Sequence, residues 1–149
     1  MLVPPKPTAR LNDMSENTPA LFNRLIWHDS KLRALRIIRR NDLDEVVLDV
    51  ELRGMPGKEL TPMTVVLEDA VFFFGDVDLQ GKRECADDIS SAKCETKTDL
   101  MTKLQDERLK HSPDALAGYF HFRLYLIPPG GNLDIIASGF RLEAVESAF

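Results

Sequence analysis

Residues 119–142 read YFHFRLYLIPPGGNLDIIASGFRL, and this stretch decides the fold. Large apolar side chains occupy every second position from Phe120 to Leu126, which is the period of a β-strand with one buried face. The alternate positions, among them His121 and Arg123, face the other way. Residues 128–132, PPGGN, interrupt regular structure and supply glycines that adopt turn conformations. The stretch therefore predicts a β-hairpin with strands over 119–127 and 133–142.

Further strands are predicted upstream of this hairpin. Residues 45–53 alternate, with Val46, Leu48, Val50 and Leu52 on one face and acidic residues on the other. Residues 32–39 form a second strand-like segment, joined to the first by the turn residues 40–44. Segments 63–68 and 71–74 also resemble strands, and the Phe72–Phe74 cluster predicts the densest part of the core.

Two helices are expected beside these strands. Thr18 and Pro19 suit the N-cap and first position of a short helix, although 25–27 could also extend as a strand. Thr98 can cap a second helix that runs to about Lys110. The polar stretch 75–98 lacks a clear period and is expected to contain one or two helical turns.

Hairpin strands with one or two helices predict an α+β fold, an antiparallel sheet with helices packed on it, and a β-sandwich is the alternative. The proline-rich residues 1–17 predict a disordered tail, and 18–149 a single domain. Met14 is an alternative start, so residues 1–13 need not be native. Apolar residues on both faces of 133–142 predict either a homodimer or a covering helix.

Composition excludes several classes of function. The 149 residues carry a net charge of −5, which disfavours nucleic-acid binding because phosphate contacts need surplus Lys and Arg. No apolar run reaches the length of a membrane-spanning helix, and no signal-peptide pattern is present, so we expect a cytoplasmic protein. Cys85 and Cys94 are then expected to be reduced, with a disulfide between them as the alternative.

The tetrapeptide Trp27-His28-Asp29-Ser30 is the first candidate site, because it combines a possible base, a carboxylate and a hydroxyl. Catalytic groups converge in space rather than in sequence, however. We therefore interpret these residues as a turn, in which Asp29 or Ser30 binds backbone amides and Trp27 anchors the core.

Metal and cofactor sites are not expected. Neither Cys85 and Cys94 nor His111 and His121 have the short spacing of zinc ligands. His121 is expected to be a surface or hydrogen-bonded histidine beside Arg123. No glycine-rich phosphate loop or dinucleotide fingerprint is present. The remaining possibility is a cation bound by acidic residues, for which a solvated loop is the favoured interpretation; these residues are Asp76, Asp78, Asp87 and Asp88.

The first two predicted strands carry opposite charges. Residues 23–40 hold six cations and one anion, whereas 41–52 hold five anions and no cation. If the two strands pair, opposite charges face each other across the ladder. If they lie apart, each forms a surface of one sign that could steer a charged partner.

The tetrapeptide 27–30 before an alternating strand pair, together with the late hairpin, resembles small uncharacterised bacterial β-rich proteins. These are similar to immunity proteins of bacterial toxin systems, which bind and block a toxin. The resemblance covers about residues 25–53 and 119–142 and carries over no functional residue. It implies that the partner is another protein.

No residue constellation demands a particular chemistry. The absence of catalytic patterns predicts a non-enzymatic protein-binding domain, and the resemblance implies one of the immunity type. The alternative is a small enzyme or ligand-binding domain with a site near His28 and Asp29, joined by Ser30 or His121.

Overall fold

The computed structural model describes residues 17–53, 59–77, 87–127 and 131–145. The expected tail therefore lies outside the described residues except for Asn17. In chain order the described elements are helix α1 (Thr18–Arg24), strands β1 (Lys31–Arg39), β2 (Asp44–Leu52), β3 (Thr61–Glu68), β4 (Phe72–Val77) and β5 (Asp87–Glu95), helix α2 (Asp99–Glu107), and strands β6 (Phe120–Leu126), β7 (Gly131–Ala137) and β8 (Gly139–Ala144).

The strands form one antiparallel sheet in the order β4-β7-β6-β5-β1-β2-β3-β8, as far as the described residues extend. With two helices beside it, this sheet confirms the predicted α+β fold. The two expected hairpins, β1–β2 and β6–β7, are both present, with Leu35 opposite Leu48 and Phe122 opposite Ile135.

The sheet bends sharply where β3 meets β4 and β7 meets β8. Glu68 is the last residue of β3 to pair with β8, and Phe72 is the first of β4 to pair with β7. The bend lies between them, at Asp69, whose φ is 52°, and at Ser138, whose amide donates to Glu68 O. The segment that forms β3 and β4 and the segment that forms β7 and β8 thus pair with each other at both ends of the strand order, as β3–β8 and as β4–β7.

A single cluster of buried side chains joins the two halves of the sheet. It contains Leu48 of β2, Phe122 of β6 and Phe140 of β8, together with Phe22 of α1. The Phe22 ring lies 5.1 Å from that of Phe122 and 5.2 Å from that of Phe140, both edge to face. Aromatic pairs of this geometry add stability beyond the area that they bury.

Helix α1 packs on β5 beyond the point where β1 and β5 separate. These strands pair only at Lys31 and Leu32 of β1. Beyond this point the Asn23 side chain accepts from Cys94 N at 2.7 Å and donates to Cys94 O at 3.0 Å. The amide thus makes the two backbone bonds that a neighbouring strand would make there.

Helix α2 packs on the outer face of β7. Its N-cap is Thr98, as predicted, whose hydroxyl accepts from Met101 N at 3.3 Å. Met101 and Leu104 form a second buried cluster with Ile136. The apolar outer face of residues 133–142 is therefore covered by a helix at this point, one of the two predicted outcomes. In the described part of the chain, neither helix has the length and apolar content needed to span a membrane.

Several boundaries differ from the predictions. In the polar region 75–98, residues 75–77 belong to β4 and residues 87–95 form β5, while residues 78–86 lie outside the described part of the chain. The predicted strand 133–142 is broken at Ser138. Asn17 occupies the N-cap position of α1, and Thr18 is its first helical residue. Helix α2 ends at Glu107, before Lys110. The strand segments were recognisable, but their partners depend on residues far away in the sequence.

Candidate functional site

The turn predicted at residues 27–30 is confirmed for two of its residues. Trp27 is buried, and its Nε1 donates to Phe22 O at 2.9 Å. Ser30 is completely buried, and its Oγ donates to Ile26 O at 2.7 Å and accepts from Arg53 N at 2.9 Å. Ser30 therefore joins the start of β1 to the end of β2, a structural role that uses its hydroxyl fully.

His28 and Asp29 lie on the outside of the same turn. Their side chains are 72% and 52% exposed, with His28 Nδ1 3.3 Å from Asp29 Oδ1. Asp29 has a φ of 69°, and its amide donates to Ile89 O, which ties the turn to β5. An open surface does not exclude water or hold a substrate on several sides, as a binding cleft does.

His121 is separate from these residues, and the prediction of a surface histidine is wrong. Its side chain is only 2% exposed. Its Nδ1 lies 2.7 Å from Thr98 Oγ1, and its Nε2 lies 2.7 Å from Asp134 Oδ1. The burial arises because Thr98, at the start of α2, covers this face of β6. The predicted alternative, a hydrogen-bonded histidine, is confirmed.

The hydrogen bonds of His121 assign the tautomer of its neutral ring. An ionised carboxylate only accepts, so Asp134 requires a proton on Nε2. Nδ1 then accepts from the Thr98 hydroxyl, whose oxygen is left to accept from Met101 N. Burial lowers the pKa of His121 from its ordinary value of 6.5, against the opposing effect of Asp134. A neutral histidine thus connects the helix cap to β7.

A cleft of about 440 Å³ opens beside this histidine, and we call it the His121 cleft. Phe72 and Phe74 of β4 form one wall, and Thr98, Asp99 and Leu100 form the start of α2 opposite. Its base contains three polar side chains from β6 and β7, namely His121, Arg123 and Asp134. Cross-strand register explains this grouping, since Phe74 lies opposite Asp134, which lies opposite Arg123.

A larger groove of about 580 Å³ lies between the β1–β2 turn and the connection from β3 to β4, and we call it the turn groove. Its apolar side chains include Ile37, Leu43 and Val71, which are 47%, 47% and 51% exposed. Charged residues also line the groove; these are Arg39, Arg40, Asp42, Asp44 and Asp69.

The opposite charges of β1 and β2 face each other, as predicted for paired strands. Arg36 lies 3.0 Å from Asp49, and Arg39 lies 3.1 Å from Asp44. Such exposed pairs favour the register modestly. The alternative of two separate single-sign surfaces is therefore wrong.

Metal-ligating residues do not gather within the described residues, where no group of three His, Cys, Asp or Glu side chains could hold an ion. Asp88 instead lies 2.6 Å from Lys31 Nζ. Cys94 has a free, buried thiol, and burial raises its pKa to about 12. Cys85 and Asp78 lie outside the described residues.

The His121 cleft and the turn groove both contain residues for which the sequence predicted another role. The Phe72–Phe74 cluster was predicted as the densest core, but Phe74 is 54% exposed and all three side chains line one cleft or both. The local sequence of a strand is the same whether its aromatic side chains are exposed or buried. Only the position of β4 at the end of the sheet distinguishes them.

No protein-family model, curated protein or solved structure matches this chain.

Proposed function

We propose that the protein is a non-enzymatic protein-binding domain and that the turn groove is its binding surface. The observation that carries the proposal is the convergence of Ile37, Leu43 and Val71, each about half exposed, on one groove. Single exposed apolar side chains are common on protein surfaces, whereas contiguous ones mark interaction sites.

The rim supports the same function. An apolar centre surrounded by charged side chains is the usual anatomy of a protein interface. Arg39 and Arg40 are held by Asp44 and Glu45, so these cations are already oriented. Covering the apolar centre would remove water from these pairs only at their edge, where the electrostatic cost is small.

The rim also indicates the charge of the partner. The charged side chains that line the groove include two arginines and three aspartates, and both arginines are ion-paired. Among the described residues, the two arginines pair with Asp44 and Glu45 and leave Asp42 without an ion pair. We infer that the partner presents an apolar segment flanked by Lys or Arg, which also suits the net charge of −5.

A narrower form of the proposal takes the partner to be a protein toxin, as the resemblance to immunity proteins implies. It places the interaction in the cytoplasm, where a thiol such as that of Cys94 stays reduced. If the gene lies beside a toxin gene, the purified toxin is expected to bind the protein. A neighbouring toxin that does not bind would remove this narrower form and leave the wider proposal standing.

The wider proposal is tested with a photo-crosslinking amino acid in place of Leu43. A partner identified in this way is purified, and its affinity is measured by calorimetry against the parent and the I37S/V71S variant. Loss of two buried apolar anchors is expected to weaken binding by about tenfold or more.

The matched control is I26S, because Ile26 is 46% exposed and does not line the groove. This variant is expected to bind within about twofold of the parent, since residues outside the interface contribute little to the binding energy. Equal affinity of the parent and I37S/V71S for the crosslinked partner would contradict the proposal, as would the absence of any crosslink specific to position 43.

A further inference from the structure

The His121 cleft has features that the protein-binding proposal does not use. Its Phe72 and Phe74 wall, the start of α2 and its polar base are contributed by four separate elements. A volume of about 440 Å³ is within the range of small-molecule sites. Such sites combine apolar walls with a few convergent polar groups, which is the composition here.

Asp134 is the polar group best placed to contact a ligand. Its side chain is 19% exposed, so the carboxylate is largely desolvated. His121 Nε2 binds its Oδ1, and Arg123 Nε lies 3.4 Å from the same oxygen. Within the described residues no hydrogen bond reaches Oδ2. One oxygen is therefore held in place by the protein and the other remains able to accept.

The formal charges of the side chains that line the cleft favour a cation. Asp99 and Asp134 both line it, whereas Arg123 is its single lining cation among the described residues. Arg123 is itself shared between Asp134 and Glu95, each at 3.4 Å. His121 adds no charge at neutral pH, because burial lowers its pKa from the ordinary value of 6.5. A carboxylate with reduced solvation then attracts an incoming cation more strongly than one in water does.

The aromatic wall favours the same ligand class. The Arg108 guanidinium lies 5.8 Å from the centre of the Phe72 ring and already occupies one face of it, so Phe74 is the ring left for a ligand. Phe74 is 54% exposed and offers a further face at the mouth of the cleft. A flat apolar body would pack against this wall and Leu100.

We propose that the His121 cleft binds a small organic cation, an ammonium or amidinium group on a flat apolar body, with Asp134 and Asp99 as its anionic contacts. This site shares only Phe72 with the turn groove. It goes beyond the protein-binding proposal, and either can fail without the other.

The experiment compares three probes of the same shape by NMR titration of the full chain. Benzamidine is a cation, benzamide its neutral counterpart and benzoate its anionic counterpart. Benzamidine is expected to bind about tenfold more tightly than benzamide, because hydrogen bonds to charged groups are the stronger ones. Shifted resonances are expected at Leu100, Phe74 and Asp134. Equal binding of benzamide, or tighter binding of benzoate through Arg123, would overturn the proposal.

Variants test the residues. D134N keeps the size of the side chain and an acceptor for His121, and is expected to weaken benzamidine binding about tenfold. D99N provides a second test at an exposed helix position, should D134N fold poorly. The control D76N removes an exposed charge from β4 outside the cleft and is expected to leave affinity within about twofold. If D134N and D99N both bind as the parent does, or D76N weakens binding as much, the proposal is wrong.

Discussion

At the scale of single residues, the environment of His121 shows how a polar position on a strand becomes buried. The alternation of β6 places it opposite the core face, next to Arg123, in agreement with the sequence. Its burial comes from Thr98, a residue 23 positions earlier that also caps α2. One hydroxyl thus satisfies both a helix amide and a histidine nitrogen, and neither polar group is left unpaired.

The neutral state of His121 predicts a pH dependence of stability. Because burial lowers its pKa in the folded protein, the unfolded chain binds more protons below the ordinary value of 6.5. The free energy of unfolding is therefore expected to fall as the pH decreases through 6.5, until the folded-state pKa is passed. The charged groups that face the ring are Asp134, Arg123 and Glu95.

Urea unfolding of the parent, H121Q and H28Q between pH 7.5 and 5 measures this contribution. H121Q is expected to show a shallower decline than the parent, whatever its absolute stability. H28Q, which alters a side chain that is 72% exposed, is expected to retain the parent's slope. An unchanged slope in H121Q would assign the pH dependence to other groups.

At the scale of elements, α1 binds the part of the β5 edge that β1 leaves unpaired. Its seven residues are too few for a stable isolated helix, so it depends on packing. Phe22 enters the core while Asn23 binds the backbone of Cys94. The helix therefore satisfies backbone groups of β5 that β1 leaves unpaired, a role that its short apolar stripe could not reveal.

Replacing Asn23 with Ala tests this role. Cys94 N loses its acceptor and Cys94 O loses its donor, so the free energy of unfolding is expected to fall by about 1–3 kcal/mol. Hydrogen exchange at the Cys94 amide should accelerate more than at Phe122 in the neighbouring strand β6. N41A, at an exposed turn position, is the control and is expected to change stability by less than about 0.5 kcal/mol. An unchanged rate of hydrogen exchange at the Cys94 amide in N23A would contradict this role of Asn23.

At the scale of the whole molecule, the bend at Asp69 and Ser138 folds two four-stranded halves onto one core. The Tyr119 hydroxyl donates to Asp69 Oδ2 at 2.6 Å and holds this corner. Phe22 contacts aromatic rings from both halves. Because the halves share these contacts, neither has a complete core without the other.

Unfolding is therefore expected to be cooperative. Trp27 is the only tryptophan and reports on the α1 end of the core, whereas far-UV circular dichroism reports on all strands. The two urea transitions are expected to coincide. F22A should lower both midpoints together, with a loss of about 3–5 kcal/mol. A Trp27 transition that clearly precedes the dichroism change would show that the halves unfold separately.

The sequence by itself determined the features that depend on short-range interactions. The alternation in β2 and β6, the cap at Thr98, the turn at 27–30 and the opposite charges of β1 and β2 all involve residues close along the chain. Steric preferences and local hydrogen bonds act at that range, so their patterns are legible in the order of the residues.

Only the tertiary structure decided strand β5, the break at Ser138, the burial of His121, the His121 cleft and the turn groove. Each depends on a partner far away in the sequence: β5 pairs with β1 and β6, and Phe74 lies opposite Asp134. The energy of such contacts comes from packing and desolvation between distant segments, and a local pattern carries no record of which segment will be the neighbour.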